Sequence, residues 1–409
     1  MTDYYETKSQ PISKLMVWMA YRKVKANGGS AGIDQVSLDA FSDDLSGNLY
    51  KLWNRLSSGS YFPPPVKQVK IPKKSGGQRS LGIPTVADRI AQQVVKTWLE
   101  PKLEPIFHED SYGYRPGKSA HQALAKANYR CRYYDWVLDL DIAGFFDNID
   151  HELMLNALRH YHAPDWVCMY VKRWLQADVV QADGQRLSTG KGTPQGGVIS
   201  PLLANLYLHV GFDGWMRKHH PTIPFERYAD DIVVHTRSKA QAEFIKGRIT
   251  ARMEECNLQL HPEKTHIVYC KDRRRRETQS QTSFDFLGYT FRPRICNTEQ
   301  GWQLLYVPCM SRKAKVSVTE KLKQLNLHKY KGTIQQMAKL LNVRIRGWMN
   351  YYCRWSKWTT TWVWRVLNLK LIKWLKWNRR FSKKRAVHWL KQVYKANPRL
   401  FAHWSLVHP

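Results

Sequence analysis

A chain of 409 residues with 43% apolar and 24% charged side chains can build two to four compact domains with real cores, which excludes a small stapled module. Its formal net charge of +32 selects a polyanionic partner, nucleic acid ahead of acidic membrane, and from residue 301 onward 24 Lys and Arg stand against the single acid Glu320. Seven cysteines without any two-residue spacing argue against a zinc or redox pair. With neither a secretion signal nor a bilayer-length apolar run, the expectation is a soluble, cytoplasmic protein with free thiols.

Residues 1–60 read as helical stretches around the glycine-rich loop 27–34, with Leu15, Trp18 and Met19 on one face. After the stiff connector Tyr61-Phe62-Pro63-Pro64-Pro65, residues 66–71 and 79–83 read as two strands joined by the turn 73–78. Lys73 and Arg79 flank Gly76-Gly77, so both can point at one anion, although an ordinary solvated hairpin uses the same glycines. A helical pattern follows over 85–108. Residues 136–142 then alternate as a buried strand, with Asp139 and Asp141 on one face, and run into the aromatic turn Gly144-Phe145-Phe146. Asp147 and Asp150 are expected as N-terminal caps of a helix over 151–160. Pro194-Gln195-Gly196-Gly197 reads as a turn opening a helix through Leu203, which leaves the Gln195 amide free to reach a nucleotide or a template base. Lys264 lies beside a strand. Arg273-Arg274-Arg275-Arg276 reads as a solvated charge run, and beyond 309 the pattern becomes long amphipathic helices rich in Trp and Lys.

Two adjacent carboxylates, Asp230 and Asp231, occupy the predicted turn between strand patterns at 225–227 and 232–235. Carboxylates about 4 Å apart repel by roughly 4 kcal/mol per pair at an effective dielectric near 20, so a converging trio with Asp139 or Asp141 persists only if divalent metal neutralises it. Two Mg²⁺ ions about 3.5 to 4 Å apart would clamp an in-line phosphoryl displacement. The bland alternative is a helix cap at Asp141 and a solvated hairpin turn at Asp230-Asp231.

Six ordered blocks carry a resemblance. They are Arg79-Ser80-Leu81-Gly82-Ile83-Pro84-Thr85, Tyr112-Gly113-Tyr114-Arg115-Pro116-Gly117, Asp141-Ile142-Ala143-Gly144-Phe145-Phe146-Asp147-Asn148-Ile149, Gly192-Thr193-Pro194-Gln195-Gly196-Gly197-Val198-Ile199-Ser200-Pro201, Tyr228-Ala229-Asp230-Asp231 and Phe286-Leu287-Gly288-Tyr289. Together the chain resembles the reverse transcriptases, or maturases, encoded by group II introns. That resemblance implies an α+β right-hand polymerase with an N-terminal extension over 1–60, fingers over 61–134, a palm over 135–308, a helical thumb or maturase-specific domain over 309–378 and a short basic DNA-binding segment over 379–409. The longer members' nuclease module with its Cys and His is not seen in this sequence.

The same resemblance implies roles for individual residues. Asp141 is preferred to Asp139 as the upstream metal ligand because the family places an aromatic residue five positions later, where Phe146 stands. Asp230 is expected to hold both ions, Asp231 to be a looser ligand or orienting group, and the main-chain carbonyl of Ile142 to add a ligand; Mn²⁺ would substitute for Mg²⁺. Lys73, Arg79, Ile142, Phe146 and Gln195 are expected at the incoming dNTP, with Phe146 excluding a 2′-hydroxyl. Lys264 is the candidate acid for departing pyrophosphate, with a plain surface lysine as its rival. Arg115, Arg344, Arg346, Arg354 and Lys357 are the expected nucleic-acid contacts. Most of the aromatics at 348, 351, 352, 355, 358, 362 and 364 are expected in helix core. The implied partners are the intron RNA, an RNA template with a DNA primer, target DNA and dNTPs, with no membrane; a homodimer is compatible with these. Competing readings are a splicing cofactor without polymerase activity, an RNA-templated RNA polymerase, and the retron or diversity-generating reverse transcriptases.

Overall fold

A computed structural model describes residues 9–72, 78–188 and 190–409, and its architecture is α+β. The chain divides into two compact units: residues 1–119, 140–232 and 243–265 form the first, and 120–139, 233–242 and 266–409 the second.

In the first unit, helix Lys14–Asn27 starts where the Ser13 side chain accepts from the Met16 amide, and it buries Val17, Ala20, Tyr21 and Val24. The stripe of Leu15, Trp18 and Met19 therefore faces outward, at 48%, 42% and 44% exposure. The buried stripe of Val17, Ala20, Tyr21 and Val24 has i, i+3, i+4, i+7 spacing, and the helix packs with helix Val86–Leu103. That second helix is capped by Thr85, which accepts from the Asp88 amide. The predicted hairpin forms as strands Val66–Pro72 and Gln78–Ile83, antiparallel from Lys67↔Ile83 to Pro72↔Gln78, and Val179–Val180 adds to its first strand in parallel. Its tip, with Lys73, lies outside the described residues. Helices His151–His160, Asp165–Leu175 and Ser200–Leu208 complete the unit around Leu158, Tyr170, Val171 and Leu206. Asp150 caps the first of these at the Leu153 amide, as expected, whereas Asp147 lies exposed inside the short helix Phe145–Asn148.

In the second unit, strand His266–Tyr269 pairs antiparallel with the strand Trp136–Asp141, from Trp136↔Tyr269 to Asp139↔His266. A three-stranded antiparallel meander follows, made of Phe284–Phe286, Tyr289–Thr298 and Gly301–Met310. Four helices, Arg312–Gln324, Ile334–Tyr352, Thr361–Asn378 and Lys383–Ala396, then close over Leu322, Met337, Leu341, Leu367, Leu371, Trp374 and Phe401. Each such fully buried side chain contributes about 1.5–3 kcal/mol of transfer free energy. Thr333 and Gln336 form a reciprocal capping box at the second helix. Of the seven aromatics expected mainly in core, only Trp364 is fully buried; Trp348, Tyr351, Tyr352 and Trp355 are half-buried, and Trp358 and Trp362 are exposed. Trp348 and Tyr352 pack against this core from its edge, and Trp358 lies against the Arg294 guanidinium, 4.2 Å from its ring centroid.

Candidate active site

All of the candidate chemistry lies in the first unit. Asp141 ends its strand, and its carbonyl accepts from the His261 amide at 2.7 Å while Ile142 bridges Leu260, so residues 259–261 hold the strand end. The turn carrying Asp230 reverses between strands Phe225–Tyr228 and Asp231–Thr236 by placing Ala229 at φ +56°, a left-handed conformation uncommon for residues other than glycine.

The structure brings Asp141, Asp230, Asp231 and Lys264 together. Lys264 Nζ donates to Asp141 Oδ2 at 2.5 Å, across 123 residues of chain. Burial, then the charge of Asp141, raises the Asp230 carboxyl above its usual range, against the pull of its own amide, Lys264 and Arg227. Surrounding protein, then Asp230 and Asp141, push Asp231 up to about 7. Asp231 is nevertheless exposed to solvent, and water reaching it screens both influences. The cluster is thus short of positive charge, and among the described residues the Lys264 ammonium supplies the one cation bonded to Asp141. Among the described residues no three Asp, Glu, His or Cys side chains are gathered tightly enough to enclose a metal ion. The fit of a divalent ion rests instead on the donor chemistry: hard carboxylate oxygens, with two of the carboxyls, Asp230 and Asp231, raised by burial and by neighbouring acids.

Beside this cluster, Phe146 is half-buried and Phe145 is 2% exposed. The aromatic turn is helical over Phe145–Asn148 rather than extended, because Gly144 at φ +55° starts a helical turn. The Phe146 carbonyl accepts from the Thr193 amide at 2.8 Å. Gln195 differs from expectation: its turn does not open a helix directly, since the helix begins only at Ser200, where Pro201 fits the first turn. The Gln195 carbonyl instead accepts from the Gly82 amide at 2.7 Å, and a Cβ on Gly196 would lie 2.3 Å from the Gly82 carbonyl oxygen, so that close approach requires glycine. A cavity of about 140 Å³ opens there, lined by Gln68, Ser80, Gly82, Asp147, Lys191 and Gln195 among others.

Arg79 is exposed on the returning hairpin strand. Tyr114, to which no role was attached from the sequence, stands near the acids: burial, then Asp230 and Tyr228, raise its hydroxyl above the usual range, while Arg79 pulls it down. Its membership of the Tyr112-Gly113-Tyr114-Arg115 block was the available signal.

Arg115 does not present itself as a nucleic-acid contact. Its guanidinium binds the Glu104 carboxylate at 2.7 Å and the carbonyls of His108 and Ser111, and only 5% of the side chain is exposed. In the second unit, Arg344, Arg346, Arg354 and Lys357 are all exposed. The run at 273–276 is divided: Arg275 is buried against Asp272 and the carbonyls of Cys131 and Tyr134, and the other three arginines are exposed.

Residues 71–291 match the family described as reverse transcriptase (RNA-dependent DNA polymerase), and residues 316–395 match the group II intron, maturase-specific domain. Group II intron-encoded protein LtrA of Lactococcus lactis subsp. cremoris is 29% identical over 346 residues, covering 69% of this chain and 55% of that protein. Protein YkfC of Escherichia coli (strain K12) is 31% identical over 297 residues, covering 63% of this chain and 74% of that protein. The putative COX1/OXI3 intron 1 protein of Saccharomyces cerevisiae is 25% identical over 327 residues, 67% of this chain and 38% of that protein. The chain therefore spans about half the length of LtrA. Among the described residues no helix is long and apolar enough to cross a membrane.

Proposed function

Because this chain belongs to the reverse transcriptase family and carries a group II intron maturase-specific domain in a right-hand polymerase fold, we propose that it copies RNA into DNA, binds a group II intron RNA, assists its splicing and supports its insertion into DNA. The observation that carries the catalytic part is the convergence of Asp141, Asp230, Asp231 and Lys264. In this reading the primer 3′-hydroxyl gives up its proton to water, its oxygen forms a bond to the α-phosphorus of a dNTP, and the bond from that phosphorus to pyrophosphate breaks. Asp141, Asp230, the Ile142 carbonyl and, more loosely, Asp231 would hold two Mg²⁺ ions, or Mn²⁺ in their place, which supply charge neutralisation at the attacking and leaving oxygens.

The remaining roles belong to the chain itself. Arg79 with Lys73 neutralises the triphosphate, and Gln195 orients the nucleotide or the template base. Phe146 excludes a 2′-hydroxyl, and Lys264 donates the proton that pyrophosphate needs as it leaves. Arg344, Arg346, Arg354 and Lys357 contact RNA phosphates. The fingers, palm and thumb are assigned to residues 61–134, 135–308 and 309–378, with the extension at 1–60 and a basic DNA-binding segment at 379–409. The protein works in the cytoplasm, on the nucleoid when it engages target DNA, and a homodimer is compatible with this assignment.

Asp230→Ala tests the reading. It should abolish cDNA synthesis on an RNA template with a DNA primer while RNA affinity stays within a few fold. Undiminished synthesis by this variant would remove the metal assignment, and a wild-type chain that binds RNA but never extends a primer would leave a splicing cofactor.

A further inference from the structure

Directly beneath the Asp230 turn lies a buried charged network. Arg227, two residues before Ala229, is 0% exposed, as is Asp213. Its Nε donates to Asp213 Oδ1 at 2.7 Å and its Nη2 to Asp213 Oδ2 at 2.6 Å, a bidentate pair. The remaining nitrogen, Nη1, donates to Asn205 Oδ1 at 3.0 Å and to the Ala229 carbonyl at 3.1 Å. Asn205 in turn donates to the Gly113 carbonyl at 2.7 Å, and a Cβ on Gly113 would lie 2.5 Å from the Ala229 amide nitrogen. Ala229 is thus gripped at its carbonyl by a guanidinium and pressed at its amide by another loop, in the left-handed conformation that a free chain would leave.

The aspartate owes its position to a change of helical pitch. After helix Ser200–Leu208 the chain makes a π-turn over His209–Asp213 before resuming as Gly214–His219. Such turns insert one extra residue and re-aim the next side chains, and they recur at functional sites. Asp213 is buried there together with His209, Gly211 and Phe212, and Arg227 holds its carboxyl below the usual range despite full burial.

We infer that Arg227, clamped by Asp213 and Asn205, is a positioning residue that sets the Ala229–Asp230 peptide and so aims the Asp230 carboxylate for metal binding. A buried ion pair with only a stabilising role would need no bond to the turn; this one spends a guanidinium nitrogen on the carbonyl preceding Asp230. The fork geometry matters as well as the charge, since a lysine ammonium cannot serve Asp213 bidentately while reaching Ala229. The role rests on the polymerase reading above.

Arg227→Lys, Arg227→Met and Asn205→Ala test it, with Arg275→Lys as a control that disturbs a comparable ion pair, Arg275 with Asp272 at 2.6 Å, in the second unit. Mn²⁺ binding to the full chain with RNA template and DNA primer is followed by paramagnetic resonance, beside thermal melting and steady-state primer extension. Arg227→Lys and Asn205→Ala should bind Mn²⁺ about 10-fold more weakly, in the range that losing a supporting hydrogen bond produces. They should also lose about 10²-fold in kcat, as expected for misplacement near 1 Å. Template–primer affinity should stay unchanged, and Arg275→Lys should lower the melting temperature without moving Mn²⁺ affinity. Folded Arg227→Lys and Asn205→Ala proteins with wild-type Mn²⁺ affinity and kcat would overturn the positioning role. A wild-type chain without any primer extension would instead overturn the polymerase reading on which the role stands.

Discussion

Asp88→Asn isolates a buried charge that props the Gln195 turn. Asp88 is 1% exposed and accepts from Tyr61 at 2.9 Å, from the Trp174 indole at 2.8 Å and from Gln92 at 2.9 Å. Gln92 then accepts from the Ile199 amide, so the carboxyl is linked to the segment that leads from Gln195 into its helix. Three donors favour the ionised form, but burial outweighs them and pushes the carboxyl from 3.8 up to about 6. The folded protein therefore binds the Asp88 proton more tightly than the unfolded chain does. Stability from this group is complete below the unfolded value and is lost as pH rises through the folded one, and at about 1.4 kcal/mol per pH unit the loss amounts to roughly 3 kcal/mol by neutral pH. Asparagine mimics the protonated acid in shape and cannot ionise. Between pH 4 and 7.5 the stability difference between Asp88→Asn and wild type should shift by roughly 2 to 3 kcal/mol in favour of the variant, and contributions common to both proteins cancel. Native-state hydrogen exchange in helix Val86–Leu103 reads this opening free energy locally, where global unfolding of two units would blur it. A difference that is the same at both pH values would refute the argument, and with it the claim that burial outweighs three donated hydrogen bonds.

Sugar choice should depend on Phe146. Phe146→Val is expected to raise ribonucleotide incorporation relative to deoxyribonucleotide by roughly 5- to 150-fold, the equivalent of an unpaired buried hydroxyl at about 1 to 3 kcal/mol, while Phe145→Val acts mainly on stability. Competitive primer extension decides it, and an unchanged preference in the first variant sinks the gate. RNA binding should weaken steeply with salt through the basic C-terminal region. Replacing Arg344, Arg346, Arg354 and Lys357 together with Gln should reduce the slope of log affinity against log salt by about 3; an affinity flat in salt would remove the electrostatic account.

What could be read from the sequence follows from locality. The strand ending at Asp141, the hairpin flanking residues 73–77 and the turn at Asp230 carry their signals within a few residues: period-two alternation, paired strand runs and a short polar break. Long-range pairing left no such trace. Arg115 looked available because its partners, Glu104 and the carbonyls of 108 and 111, are fixed by how a loop folds back and not by any motif. Arg275 is indistinguishable in sequence from its three neighbours, yet its guanidinium bonds Asp272 at 2.6 Å and the carbonyls of Tyr134 and Cys131, while that of Arg274 stands 3.9 Å from Asp272. The π-turn that aims Asp213 has no compositional signature at all. Leu15, Trp18 and Met19 do share one face, but its outward direction is set by the packing of Val17, Ala20, Tyr21 and Val24 towards helix Val86–Leu103, a distant partner that the local pattern does not reveal.

The interleaving of the two units has a consequence for how the protein is made. Each unit is stitched from three separate stretches of chain, so the first cannot close before residue 265 has left the ribosome, and the second waits for the stretch from 266 onward. Asp141 emerges long before Lys264, the cation that holds it, and the helix Ala120–Arg130 waits for partners that lie beyond residue 266. During that interval strands with apolar faces stand unpaired, which is the condition under which nascent chains aggregate. Slow translation or chaperone capture should therefore govern yield more than final stability does. Cutting the chain at any single position between 120 and 265 would separate residues that belong to the same unit.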